Sequence, residues 1–336
     1  MTFIMRILVG LAAVVAAAML FTFQHPPIDT VQRGFRGVGM VQNFYPPTIE
    51  AQLAVNRAPP PLGEPITAGP TAGTIYQNVQ VLKDVPVGEF TRLMASITTW
   101  VAPTQGCNYC HVAGNLAADD LYTKRVARRM IQMVQHVNSQ WTQHVAATGV
   151  TCYTCHRGQP VPAFVWFNNP GPAQAGGFAE TGMGKNVVSK AAGLSSLPYD
   201  PFTPFLEQDN NIRIASQTAL PTNDNQSIKQ TDWTYALMMH FSQALGVNCT
   251  YCHNSRSFTS WEQSTPQRVT AWYGIRMVRD VNNAYLDPLK DVFPHERLGP
   301  LGDVAKVNCQ TCHQGVYKPL FGAAMARNFP ELTPKP

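Results

Sequence analysis

Apolar residues along this 336-residue chain fall into one long run and four periodic stretches. The run extends from Ile7 to Phe23, is interrupted only by Gly10 and Thr22, and follows Arg6. Its seventeen residues sit at the lower limit for crossing a bilayer. Ala16-Ala17-Ala18 satisfies the small-x-small pattern of an export signal, but the run continues through Met19 to Phe23, where a cleaved signal turns polar. The pattern predicts an uncleaved single-pass anchor. Arg6 and the terminal amine put that end in the cytoplasm, and the remainder emerges in the periplasm.

The first periodic stretch starts at Val87, where Phe90, Leu93, Met94 and Ile97 recur at three and four residues, and Pro103 ends it. A second runs from about Leu121 to His144 with Val126, Met130, Met133, Val134 and Val137 on one face. A third covers Asp232 to Leu245, and a fourth Pro266 to about Leu286. Between them the chain is weakly periodic and rich in Pro and Gly. The expected class is mainly α with much irregular chain. Its divisions are an anchor (1–23), an extended Pro-rich wrapping segment (24–85), a first pair of helices (86–158), a connector (159–230), a second pair (231–322) and a C-terminal tail (323–336).

Each helical stretch precedes the same pentapeptide. Cys107 to His111, Cys152 to His156, Cys249 to His253 and Cys309 to His313 all read Cys-x-x-Cys-His, the attachment signature of a c-type haem. The two thiols add to the porphyrin vinyl groups, and the histidine after the second Cys lies under the ring with a nitrogen facing iron. Four motifs use all eight cysteines. Disulfides or zinc pairs do not explain a histidine after every second Cys in a chain with nine histidines. The motifs also repeat in pairs. The first and third read Cys-x-Tyr-Cys-His; the second and fourth read Cys-x-Thr-Cys-His-x-Gly, after helices sharing Met-Val-x-x-Val-Asn at 133–138 and 277–282. The expected architecture is a multihaem cytochrome c of four helix–haem segments in two pseudo-symmetric pairs.

Composition supports this. Charged residues are only 13%, with 27 Pro and 24 Gly, as expected where cofactor supplies much of the core. The formal charge of +5 belongs to the protein alone; about two propionate charges per ferrous haem bring it to about −3. Nothing resembles a nucleic-acid footprint.

An electron-carrying haem needs a second axial ligand. Met94 stands on the helix before the first motif and Met238 in the matching place before the third, where Met239 and His240 compete. Met130 precedes the second motif, with Met133 as rival. Core filling is the ordinary role of such methionines. Aligning the Met-Val-x-x-Val-Asn cores puts Gly274 where Met130 stands, so the fourth haem needs a ligand from elsewhere. His144 is the first choice, with His136 behind it.

At this point the sequence resembles the tetrahaem cytochrome subunit of purple-bacterial photosynthetic reaction centres. The resemblance covers nearly everything after residue 30, notably Gly34 to Gly37, Trp141 to Gly158, Tyr235 to His253, Ser264 to Asp280 and His313 to Gly322. It implies four covalent haem c groups held by Cys107, Cys110, Cys152, Cys155, Cys249, Cys252, Cys309 and Cys312. The implied axial pairs are Met94 with His111, Met130 with His156, Met238 with His253, and His144 with His313. It also implies an arginine, Arg268, near the third haem. The implied function is a non-enzymatic relay from a soluble periplasmic carrier to the photo-oxidised special pair. The implied partners are the L and M subunits, with H and a light-harvesting ring beside them. This chain has no N-terminal Cys for lipidation, so the helix is expected to anchor it. The rival class is a membrane-anchored tetrahaem quinol dehydrogenase or reductase. The former needs about eight ligand histidines where five are spare, and the latter an open iron.

Overall fold

The computed structural model describes residues 3–22, 29–33, 40–169, 189–195, 197–214 and 228–333. The run Gly34 to Gly37, His25 and much of the connector lie outside them. The fold is mostly helical. The first helix, α1 (Phe3–Thr22), is long and apolar enough to cross a membrane and buries none of its residues.

The segment expected to be merely extended carries elements of its own. Strands β1 (Asp29–Arg33) and β2 (Met40–Phe44) pair antiparallel, Asp29 opposite Phe44. Helix α2 (Pro46–Val55) follows. Pro46-Pro47 occupies its first turn, where the missing N–H costs nothing.

Helix α3 (Val87–Val101) ends just before Ala102-Pro103, as the restriction on residues preceding proline requires. Its buried stripe is Glu89, Arg92, Leu93, Ser96 and Trp100, so the expected face is only partly the buried one. Phe90, Met94 and Ile97 are half-buried. Helix α4 (Tyr122–Gln140) stops short of His144: the chain breaks at Trp141 and resumes in one turn, Thr142–Val145. Helix α5 is the second motif, Cys152–His156. Helix α6 (Ile228–Leu245) begins four residues before the expected Asp232. Helix α7 (Pro266–Asp280) runs on as a wider turn through Val281–Leu286. Helix α8 is the fourth motif, Cys309–His313.

Two apolar cores result. One gathers Leu93, Trp100, Ile131, Val134, Phe329 and Leu332; the other gathers Leu206, Leu237, Ile275, Val278, Val281 and Val304. The C-terminal tail therefore belongs to the first core: Phe329 meets Trp100 edge-on at 4.7 Å. The repeat is visible in hydrogen bonds. Asn138 donates to Val150 O (3.0 Å) and accepts from Val150 N (2.7 Å). Asn282 treats Val307 identically, at 3.0 and 2.9 Å. Each clamps the residue two before a motif cysteine. His136 and Asp280, equivalent positions of the two cores, meet each other at 2.6 Å, as residues near a pseudo-two-fold axis do.

Candidate haem-binding sites

The second and fourth motifs are built alike. Thr151 and Asn308 cap their five-residue helices, and Thr154 and Thr311 return the bond to the cap's N–H, a capping box. The residue after each histidine is left-handed (Arg157, φ 51°; Gln314, φ 49°), and a glycine at positive φ follows (Gly158, 82°; Gly315, 87°). This explains the x-Gly of the motif. The turns dock those glycines onto the preceding helices: Gly158 N donates to Trp100 O of α3 (2.8 Å) and Gly315 N to Ala244 O of α6 (2.9 Å). The first and third motifs are single 3₁₀ turns. There Thr123 and Thr265 donate to Tyr109 O and Tyr251 O.

All four motif histidines share one arrangement. Nδ1 faces a backbone carbonyl: Leu116 O at 3.0 Å from His111, Gln159 O at 2.8 Å from His156, Phe258 O at 2.8 Å from His253, and Val316 O at 3.0 Å from His313. A carbonyl only accepts, so Nδ1 carries a proton, and in the neutral ring Nε2 then offers its lone pair. That is the tautomer a metal-ligating histidine with a hydrogen-bonded outer nitrogen adopts. Burial pushes His156, His253 and His313 down, the last to about 4, which keeps them in the neutral, ligating form.

His144 follows the same rule from another part of the chain. Its Nδ1 lies 2.9 Å from Thr270 O on α7, and burial lowers its pKa. Its ring stands 6.1 Å from that of His313, tilted 69°. One metal between two imidazoles, at about 2 Å from each nitrogen, separates the ring centres by about 6 Å. Gly274 makes room: a Cβ there would lie 2.6 Å from His144 Cε1. The side chain missing at Gly274 is the space the imidazole occupies. His136, the second choice, is held at Nε2 by Asp280.

Met94, Met130 and Met238 lie half-buried on α3, α4 and α6. Met94 packs against the first core, and Met130 and Met238 against the second. The motifs run in a definite order through the molecule. Helix α3 packs on α5, α5 touches α8, and α8 packs on α6. Cys155 and Cys312 bring their sulfurs to 2.8 Å, so the second and fourth motifs meet back to back.

Arg268 binds the carbonyl of Ser260 (2.8 Å) and Ser264 Oγ (2.7 Å) and lies 4.3 Å over Trp261. Its counterpart in the first half, not singled out from sequence, is buried Lys124. Its ammonium caps Leu116 O, Ala117 O and Ala118 O at 2.7–2.9 Å and pairs with Asp119 at 3.1 Å. A lysine in a helical first turn carries no signal of such a role; only the loop's folding onto it does.

All eight cysteines are free, and among the described residues no three His, Cys, Asp or Glu side chains converge on a common point. Paired thiols, imidazoles of fixed tautomer, half-buried methionines and the Gly274 cradle fit the donor set of a haem c. A haem there would supply a one-electron carrier; the chain supplies ligands and surroundings.

Comparison with known proteins agrees. Residues 24–333 match the family described as Photosynthetic reaction centre cytochrome C subunit. The chain is 55% identical over 337 residues to the photosynthetic reaction center cytochrome c subunit of Rubrivivax gelatinosus, covering all of this chain and 92% of that protein. It is 54% identical to the subunit of the same name from Thermochromatium tepidum, over 95% of this chain and 78% of that one. Against that of Roseobacter denitrificans identity is 42%, over 97% and 92%.

Proposed function

The chain belongs to the family of photosynthetic reaction centre cytochrome c subunits and carries electrons in a photosynthetic reaction centre, and on that premise we propose how it does so. It holds four haem c groups, one on each Cys-x-x-Cys-His. Met94 and His111 ligate the first, Met130 and His156 the second, Met238 and His253 the third, and His144 and His313 the fourth. The observation that carries this reading is the uniform set of imidazoles, including His144, whose Nδ1 faces a carbonyl. Two ligands per iron leave no open site, so the subunit passes electrons and turns over no substrate of its own.

Electrons arrive from a soluble periplasmic carrier and leave for the oxidised special pair held by the L and M subunits, with H and a light-harvesting ring nearby. The helix α1 anchors the chain in the inner membrane with its N-terminus cytoplasmic and its haem-bearing part periplasmic. The haem-bearing divisions are 86–158 and 231–322, joined by the connector 159–230, wrapped by 24–85 and closed by the tail 323–336. Arg268, a cation beside Cys252 and His253, favours the reduced third haem and raises its potential.

Flash spectroscopy of membranes tests the relay. A flash that bleaches the special pair should be followed by haem oxidation; bleaching that recovers with every haem still reduced would sink it. A redox titration separates the rival: uniformly low potentials fit a quinol dehydrogenase, two or more high ones the relay.

A further inference from the structure

His240 is the most deeply buried histidine in the described chain, 1% exposed on α6, and it has no part in the ligand set. Its Nε2 is buried without a hydrogen-bond partner. Around it are aromatic rings, Phe202 edge-on at 4.6 Å and Phe241 at 6.5 Å. Leaving such a polar atom unpaired forfeits its hydrogen bonds to water with nothing in return, which a fold does not accept without a reason.

The direction of the side chain supplies the reason. Met238 and His240 are two residues apart on one helix, about 200° around it. They therefore face opposite ways. One turn on from His240, Ala244 O takes the hydrogen bond from Gly315 of the fourth motif, so the His240 side of α6 is the side that meets α8. The two helices pack directly on each other. Helix α6 thus meets the fourth motif with its His240 side, and Met238 lies on the opposite side.

The repeat provides an internal comparison. Trp100 O takes the equivalent bond from Gly158, so Ser96 is the counterpart of His240. Ser96 is equally buried, but its hydroxyl donates to Arg92 O of its own helix at 2.9 Å. The first half closes this position on itself. The second half places there a longer side chain with a free nitrogen turned toward the next motif.

We propose that His240 is a hydrogen-bonding partner of the fourth haem, its Nε2–H donating to a propionate carboxylate. The inference rests on the assignment of His144 and His313 to that haem. A propionate is the polar group a haem carries into an otherwise apolar wall, and an imidazole N–H directed at a carboxylate is a charge-assisted bond. The bond offsets part of the carboxylate's negative field at the iron and so favours the reduced state. It distinguishes the fourth haem from the second, its pseudo-symmetric mate, where Ser96 offers nothing.

The test uses the full-length haem-loaded protein in membranes, with His240→Leu and His240→Gln. The fourth haem is identified by its bis-histidine signal in ferric EPR, and its propionates by their bending bands in resonance Raman spectra. In His240→Leu the propionate band of that haem should shift. Its reduced-to-oxidised ratio at the unmutated midpoint should fall about threefold or more. The glutamine variant, which keeps an N–H donor, should recover much of both, and the other three haems should stay put. An unshifted band and midpoint in His240→Leu would overturn the inference, as would equal shifts in both variants, which mean packing alone. Absence of a bis-histidine signal in the unmutated protein would instead overturn the ligand assignment, and the inference with it.

Discussion

Replacing Gly274 by alanine should uncouple His144 from the fourth haem while leaving the protein folded. The added Cβ would lie 2.6, 2.9 and 3.3 Å from Cε1, Nδ1 and Nε2 of His144, where ordinary contact begins at 3.4 Å. The ring must retreat by about 0.8 Å, because packed interiors have little slack to share the strain. Metal–ligand distances tolerate only about 0.2 Å. Retreat also stretches the 2.9 Å contact from Nδ1 to Thr270 O, one turn back on the same helix. Overpacking costs about 1–3 kcal/mol, and alanine returns about 1 kcal/mol over glycine in a helix, so the fold survives. The sensitive assay is carbon monoxide binding to dithionite-reduced membranes. Six-coordinate haems exclude it; Gly274→Ala should bind about one equivalent per subunit and lose the bis-histidine EPR signal. A variant that binds none and keeps that signal would refute the reasoning.

Four further outcomes follow from the same contacts. Gly274→Met combined with His144→Ala restores the methionine that the repeat places at Met130, and should raise the fourth haem's midpoint in a redox titration, since Met ligation favours the reduced iron. Asn138→Ala and Asn282→Ala each strand a carbonyl and an N–H before a motif, and each should lower stability by about 1–3 kcal/mol in urea unfolding. Burial raises Glu331 to about 8, with the negative charge of Glu89 adding to the effect, against 4.5 when free. A pKa raised on folding gives stability that is complete below about 4.5 and lost as pH rises toward 8. Unfolding of the C-terminal segment should therefore become easier from pH 5 to pH 8 in urea titrations, and Glu331→Gln should flatten the profile. Cutting the isolated, haem-loaded subunit at a protease site introduced just after Thr22 should move its haem-bearing part from the detergent phase to the aqueous phase on phase partitioning.

Much of the candidate site was legible in the chain. The helices before each motif show because proline and apolar spacing are local signals. The two-residue spacing of the cysteines and the histidine beside them is covalent chemistry, readable without any fold. The helix α2 was missed because Pro46-Pro47 reads as a break unless one knows it starts a helix. Lys124, Asn138 and Asn282 carried no local signal either. Their partners lie on loops that meet them only after folding, and an asparagine that clamps a loop looks like one that faces water.

The fourth site divides the two kinds of information most clearly. Sequence alone determined that four motifs exist, that they repeat in pairs, and that Gly274 lacks the methionine found at Met130. It left His136 and His144 as alternatives. Only the tertiary structure takes His136 into a pair with Asp280 across the axis and lays His144 in the hollow beside Gly274, 6.1 Å from His313. The physical reason is range. Cysteine spacing and helical periodicity act within a few residues, whereas a histidine brought from the first half to the second depends on how two cores pack.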